Sequence, residues 1–254
     1  SPKIHNHWIQ SEKIDVSPYQ KINVKKENFI RDVDHLIEEG YYGLNVTVPL
    51  KEDAYKYCDN TSEVAGTLKA VNTLTINKDG VYGDNTDPIG FEKSIANRGL
   101  NNKPCLVLGA GGSARAVVHA LTHMKCEIGI YNRTREKAEL LCSDLGLEAI
   151  ILTEKTISEF IGSSHLVVNT TSLGQQEGEE NNLIDFNSLN SSAHVYDLIY
   201  NPSKTTFLRR AEKNGCTVQN GLEMLVHQAA QSFKLWHDIM PKIDDDLMSV
   251  LGVN

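Results

Sequence analysis

One segment constrains the possible folds of this chain more than any other. It is LVLGAGGSARAVVHAL, residues 106–121, where an apolar run of strand-forming residues passes through a glycine-rich turn into a helical pattern of alanine and valine. Gly109, Gly111 and Ala114 stand in GxGxxA spacing. In that spacing the first glycine permits a tight turn, the second lets a ligand come close to the backbone, and the small third residue lets the helix pack closely on the strand. The helix start exposes N–H groups that favour an anion. A strand, such a turn and a helix together predict a dinucleotide-binding unit.

The surrounding pattern agrees. From about residue 88 the sequence alternates strand and helix: strand 105–108, helix to Met124, strand 127–131, helix to Leu145, a further strand and helix, strands 165–169 and 195–199, helix 205–214 and a short strand 216–218. Such alternation calls for a parallel sheet with crossover helices, a doubly wound Rossmann-like unit over 88–221. The first part reads differently. Phe29, Val33, Leu36 and Ile37 share one helical face closed by Gly40, YGLNVTV reads as a short strand ending at Pro49, a helix follows over 50–58, and 69–83 reads as a hairpin with a strand over 70–76 and NKDG at its turn. The tail from Gly221 is strongly helical and is expected to return to the first domain. The fold class is therefore α/β, with a discontinuous α/β domain (1–87 and 222–254) and a doubly wound domain (88–221). A length of 254 residues suits two domains.

The charge after the second strand of the doubly wound unit bears on the cofactor. NAD-binding units place an Asp or Glu about 20 residues beyond the glycine turn to meet the ribose hydroxyls. Here EIGIY runs instead into Asn132, Arg133 and Thr134, with Lys137 behind, a set able to meet a 2′-phosphate through charge-assisted hydrogen bonds. NADP is the expected cofactor, and Arg135 reads as an ordinary surface charge. In the first domain, NVTVPLK puts Thr47 and Lys51 around a strand-to-helix break, and VYGDNTDPIG puts Asp87 in a loop leading into the cofactor domain. A cleft between the domains is the expected place for a lysine that moves a proton while the cofactor moves a hydride.

With these residues in view, the chain resembles the shikimate dehydrogenase family from end to end. SPKIHN, NVTVPLK, AVNTL, GDNTD, GAGGSARA, NRT, NTTSLG, YDLIYNPSKT and NGLEMLVHQA occur in family order. The resemblance implies NADP-dependent, reversible reduction of 3-dehydroshikimate to shikimate, in aromatic amino-acid biosynthesis. It implies Lys51 as the acid/base residue with Asp87 beside it. Thr47, Asn72 and Gln228 match residues that bind ring hydroxyls, Tyr200 a substrate-contacting tyrosine, and Ser1 the second serine of a carboxylate-binding SxS pair. Gly109, Ala110, Gly111, Gly112 and Ser113 match the phosphate loop, the segment Asn132, Arg133, Thr134 and Lys137 the 2′-phosphate site, and Thr170, Leu198, Gly221 and Met224 the nicotinamide approach. Two departures stand out. The family's first dozen residues, a strand carrying the first serine, have no counterpart before Ser1, so a weakened enzyme is expected if the protein lacks them. TSLGQ places Gln175 where methionine is common. The alternatives are a quinate/shikimate dehydrogenase of relaxed cofactor use, disfavoured by the missing acidic residue, and a non-catalytic NADP-sensing regulator, disfavoured by Lys51, Asp87, Asn72 and Gln228.

Other chemistries find little support. His119 and His123 have i, i+4 spacing, but no third ligand is evident and no metal is expected. His5 and His7 read as packing or surface residues, and no serine stands in a GxSxG context. A net charge of −8 with scattered basic residues argues against nucleic acid, and no apolar run approaches the length of a membrane span. Five cysteines without CxxC spacing suit buried free thiols and a cytoplasmic location. The Asp244–Asp246 stretch reads as solvated charge at a helix start. A small-molecule substrate is the expected partner, and monomer and homodimer remain equally compatible.

Overall fold

A computed structural model describes residues 1–176, 179 and 182–253. The elements run α1 (Pro2–Ser11), α2 (Phe29–Glu38), β1 (Gly43–Asn45), α3 (Lys51–Tyr57), β2 (Asn60–Thr61), α4 (Glu63–Leu68), β3 (Thr73–Asn77), β4 (Gly80–Asp84) and α5 (Asp87–Ser94). They continue with β5 (Pro104–Leu108), α6 (Gly112–His123), β6 (Glu127–Tyr131), α7 (Arg135–Leu145), β7 (Ile150–Ile151), α8 (Ile157–Ser163), β8 (Leu166–Asn169), β9 (His194–Asp197), α9 (Thr206–Lys213) and β10 (Thr217–Asn220). The chain closes with α10 (Leu222–His237) and α11 (Asp245–Val250). Two compact units result: Ser1–Gly90 with Leu225–Asn254, and Phe91–Met224.

The first unit is built on a four-stranded mixed sheet in the order β1-β3-β4-β2. The β3–β4 hairpin is antiparallel, β1 adds antiparallel to β3, and β2 lies parallel to β4. Helix α2 forms because Phe29, Val33 and Leu36 recur on one face, and they bury against Leu50, Ala54, Val71 and Leu74. The expected strand over 70–76 begins only at Thr73. Ala70 and Val71 bond elsewhere, their N–H groups donating to the Ala65 carbonyl at 3.3 Å and the Lys51 carbonyl at 2.9 Å, while the Asn72 N–H already donates to the Asp84 carbonyl of β4 at 3.0 Å. Pro49 stands in the turn that leads into α3.

Helix α10 packs on this sheet through Trp236, whose indole N–H donates to the Leu74 carbonyl at 2.9 Å and whose ring lies where a Cβ on Gly43 would fall, 2.7 Å away. Behind it is an aromatic cluster. The His5 ring stacks on Tyr19 with centroids 4.4 Å apart and meets Trp8 edge-on at 5.8 Å, while Phe233 packs against both His5 and Trp8.

The second unit is a six-stranded, all-parallel sheet in the order β10-β9-β8-β5-β6-β7. The order reverses between β5 and β8, which is the place where open sheets of this kind take ligands, outside the carboxyl ends of the strands. Strands β8 and β9 are buried at every residue and β5 at all but its first. This explains why β5 and β8 read as nearly continuous apolar runs rather than alternating ones, helices covering both faces, while β9 buries the polar His194 and Asp197 at its two ends. Side-chain oxygens of Ser62, Thr205 and Asp244 cap the starts of α4, α9 and α11. Thus the acidic stretch begins with a cap rather than with solvated charge alone. All five cysteines are free thiols, though only Cys105 and Cys216 are buried and the other three are half-buried. No helix among the described residues is long and apolar enough to cross a membrane.

Candidate active site

The polar centre of the first unit is assembled by three chain segments. Lys51 is the first residue of α3, Asn72 precedes β3, and Asp87 is the first residue of α5. The expected loop position of Asp87 is therefore a helix start, fixed because its N–H donates to the Asn85 side chain at 3.1 Å. The Lys51 amine lies 2.5 Å from Asp87 Oδ2, with the two side chains 18% and 13% exposed. The other carboxylate oxygen, Oδ1, accepts from the Asn72 side-chain amide at 2.7 Å. Asn72 is itself locked, since its Oδ1 accepts the Thr86 N–H at 2.9 Å while its Nδ2 also reaches the Thr86 hydroxyl at 3.0 Å. A charge pair this screened from water costs several kcal/mol to desolvate and holds only with good geometry and further hydrogen bonds. Asn72 supplies one of them.

Gln228, on α10, approaches the same amide at 3.4 Å, and its own amide donates to the Leu225 carbonyl at 2.8 Å. Behind Asn72 the hydroxyls of Thr73 and Ser232 meet at 2.8 Å, and the Asn45 amide donates to Ser232 at 3.0 Å. So Lys51, Asn72, Asp87 and Gln228 come together in one hydrogen-bonded group. Thr47 is exposed in the turn ahead of α3. Ser1 is exposed at the start of α1, where its hydroxyl makes no capping bond. Tyr200 belongs to the other unit and is 48% exposed. Asn45, Thr73, Asn85, Thr86 and Ser232 went unassigned in the sequence. A signal existed for Ser232, which lies four residues from Gln228 and so shares its helix face.

In the second unit the glycine turn follows β5. Gly109 adopts a φ of +111°, and a Cβ there would lie 2.5 Å from the Thr170 hydroxyl oxygen, so glycine is required twice over. Gly111 and Gly112 are different: neither has a positive φ, and, its chain neighbours and its own helix backbone aside, a Cβ on either would meet no atom of the described residues within 4 Å. Nothing in the protein itself demands glycine at these two positions. Ala110 and Ser113 are half-buried beside them. Beyond β6, the Asn132 amide donates to the Thr134 carbonyl at 2.7 Å. Arg135 pairs with Glu139 at 2.7 Å, whereas Arg133 and Lys137 are exposed and have no ion-pair partner among the described residues. The Thr170 hydroxyl donates to the Leu108 carbonyl at 2.7 Å, and a Cβ on Gly221 would collide with the Leu198 carbonyl. Met224 is buried. No group of three or more metal-ligating side chains occurs among the described residues, and the His119 and His123 rings stack on each other at 6.0 Å.

A lysine–carboxylate pair in one unit and, in the other, a 3-2-1-4-5-6 parallel sheet with a glycine turn at its switch point define a nucleotide-dependent oxidoreductase of the two-unit α/β class. Comparison with known proteins narrows this class. Residues 1–74 match the family described as shikimate dehydrogenase substrate binding domain, 92–198 shikimate / quinate 5-dehydrogenase, and 221–251 shikimate 5′-dehydrogenase C-terminal domain. The chain belongs to the shikimate dehydrogenase family. It is 36% identical to the shikimate dehydrogenase (NADP(+)) of Pelagibacter ubique, covering 100% of this chain and 94% of that one. With the enzyme of Roseobacter denitrificans the identity is 38%, over 96% of this chain and 90% of the relative. Among solved structures, the Thermus thermophilus shikimate 5-dehydrogenase in complex with NADP(H) and shikimate superposes with a TM-score of 0.85 at 32% identity, covering 95% of this chain and 89% of the other. The Aquifex aeolicus enzyme gives 0.88 at 30% identity, covering 99% and 91%.

Proposed function

We propose that this protein is an NADP-dependent shikimate dehydrogenase that reversibly reduces 3-dehydroshikimate to shikimate, with substrate bound by the first unit and NADP by the second. The observation that carries the reading is the Lys51 amine held 2.5 Å from an Asp87 carboxylate that Asn72 fixes from the other side. The relatives named for this activity support it.

The second unit fits the cofactor on its own geometry. Gly111 and Gly112 leave backbone N–H groups accessible at the start of α6, which suits a pyrophosphate. Arg133 and Lys137, uncommitted to carboxylates among the described residues, suit a 2′-phosphate together with Asn132 and Thr134. Gly109, Ala110 and Ser113 shape the phosphate turn, while Thr170, Leu198, Gly221 and Met224 line the nicotinamide side. NADPH, when bound, supplies the hydride.

The chain's own residues handle the proton. In the reductive direction Lys51 donates a proton to the carbonyl oxygen as it gains charge, and in the oxidative direction it takes the hydroxyl proton back. Such general acid–base assistance is worth about 10²- to 10⁴-fold in rate. Asp87 aims the amine, and Asn72 prevents the carboxylate from turning away. Asn72, Gln228 and Thr47 hydrogen-bond ring hydroxyls, Tyr200 adds a further substrate contact, and the Ser1 hydroxyl receives the carboxylate.

Replacement Lys51→Ala tests this assignment by following NADPH absorbance with shikimate as substrate. The expected result is a kcat lowered by about 10²- to 10⁴-fold, the whole general acid–base contribution, with shikimate affinity changed only a few-fold. A kcat close to that of the unaltered protein would overturn the role given to Lys51.

A further inference from the structure

Asp197 ends β9 and is 0% exposed, the most deeply buried acid of the second unit. Among the described residues no lysine, arginine or histidine lies within ion-pair distance of it. Its carboxylate is satisfied instead by three neutral donors from three separate segments. The Asn169 amide, at the end of β8, donates to Oδ1 at 3.0 Å; the Ile199 N–H, in the turn after β9, donates to the same oxygen at 3.2 Å; and the Thr205 hydroxyl, at the start of α9, donates to Oδ2 at 2.6 Å. Burial raises the carboxyl's pKa and these three bonds oppose the rise. An unpaired buried charge is costly, and three accepted hydrogen bonds are what make it tolerable.

Two of the three donors lead to turns that carry residues of the cofactor side, and the third starts α9. Asn169 passes the constraint on through its Oδ1, which accepts the Thr171 N–H at 3.1 Å and the Thr171 hydroxyl at 2.7 Å. That turn holds Thr170, which closes over Gly109 of the phosphate loop. Fixing the Ile199 N–H orients the preceding Leu198 carbonyl, which leaves no room for a Cβ on Gly221. Thr205, while donating to Asp197, accepts the Leu208 N–H at 3.3 Å and so starts α9. One carboxylate thus ties together the segments bearing Thr170, Leu198 and Gly221, all at the carboxyl end of the sheet.

We propose that Asp197 is a positioning residue for nucleotide binding: its buried carboxylate sets the Thr170, Leu198 and Gly221 turns against the glycine loop and so tunes NADP affinity without touching the nucleotide. The inference rests on the functional reading above. Asparagine has nearly the same shape but offers one acceptor oxygen: kept on the Asn169 amide and the Ile199 N–H, that oxygen leaves the Thr205 hydroxyl proton without its acceptor, and flipped, the NH₂ faces the Ile199 N–H.

The test compares Asp197→Asn with the unaltered protein by titration calorimetry, using NADP⁺ and shikimate separately, together with kcat and both KM values. Expected is a rise in NADP⁺ Kd of about tenfold or more, the scale of a lost hydrogen bond to a charged group, with shikimate Kd unchanged within about twofold. Val195→Ala, two residues earlier on the same strand and equally buried, supplies the comparison for lost stability alone, and its NADP⁺ Kd should stay at the original value. Should Asp197→Asn not fold, Thr205→Val removes one donor and Thr205→Ser keeps it: the first should weaken NADP⁺ and the second restore it. Equal weakening of both ligands, or the same nucleotide loss in Val195→Ala, would reduce Asp197 to a structural residue and overturn the proposal. If the unaltered protein binds neither ligand, the functional reading itself falls and the inference with it. If it binds both and the Asp197 and Thr205 variants match it, the inference alone falls.

Discussion

Acidification should unfold the first unit by way of His5. The His5 ring is 1% exposed and its Nε2 is buried without a hydrogen-bond partner. Burial, reinforced by His237 and opposed by a hydrogen bond with Asn45, lowers its pKa from 6.5 to about 3. The unfolded chain therefore takes up this proton first, so the stability His5 permits is complete above pH 6.5 and is lost as pH falls toward 3. At pH 5 the unfolded imidazole is almost wholly protonated and the folded one is not, a gap of about 1.5 pH units at about 1.36 kcal/mol each, or roughly 2 kcal/mol relative to neutral pH.

His5→Phe keeps a ring against Tyr19 and Trp8 and removes the titration. Urea unfolding of both proteins at pH 7, 6 and 5, followed by tryptophan fluorescence, isolates the effect from that of the carboxylates. The variant should lose about 2 kcal/mol less than the parent between pH 7 and 5, with the difference growing at lower pH. Parallel pH dependences would refute the argument and mean that the His5 site admits water or a proton-accepting partner.

Two further outcomes can be checked in the second unit. Gly221→Ala pushes a methyl group into the Leu198 carbonyl and should cost roughly 2 kcal/mol, a drop of about 4–8 °C in the melting temperature, together with weaker NADP⁺ binding; an unchanged melting curve would mean the two turns separate at little cost. Arg133→Ala should raise KM for NADP⁺ by about tenfold, as expected for a lost charge-assisted hydrogen bond, while leaving KM for NAD⁺ almost unaltered; equal changes for both would make Arg133 structural.

Periodicity carried most of the second unit, because its central strands β5, β8 and β9 are buried on both faces and its helices follow the strands at short, regular distances. The glycine turn was equally legible, with Gly109 bound by its own φ and by Thr170. What periodicity could not convey was hydrogen bonding between distant segments. Ala70 and Val71 have the residue types of a strand, yet their N–H groups go to Ala65 and Lys51, so pairing with β4 starts only at the Asn72 N–H, and the Asn72 side chain meets Asp87. Asp87 reads as a loop residue because Asn85, Thr86 and Pro88 are turn formers, whereas the Asx bond from Asn85 starts a helix there. Thr73 and Asn45 were invisible for a similar reason: each is an ordinary polar residue until the fold stacks it behind Asn72, whereas Ser232 could have been found from its helical spacing to Gln228.

The wiring of Asn72 has a practical side. Its carboxamide orientation is dictated by the Thr86 N–H, and its two hydrogens face the Asp87 carboxylate and the Thr86 hydroxyl. The side-chain nitrogen of this one residue is therefore a built-in spectroscopic beacon. In isotope-labelled protein its pair of amide proton signals would sit apart from those of solvent-facing asparagines, and their movement on titration would log what arrives beside Lys51 without any dye or engineered tag.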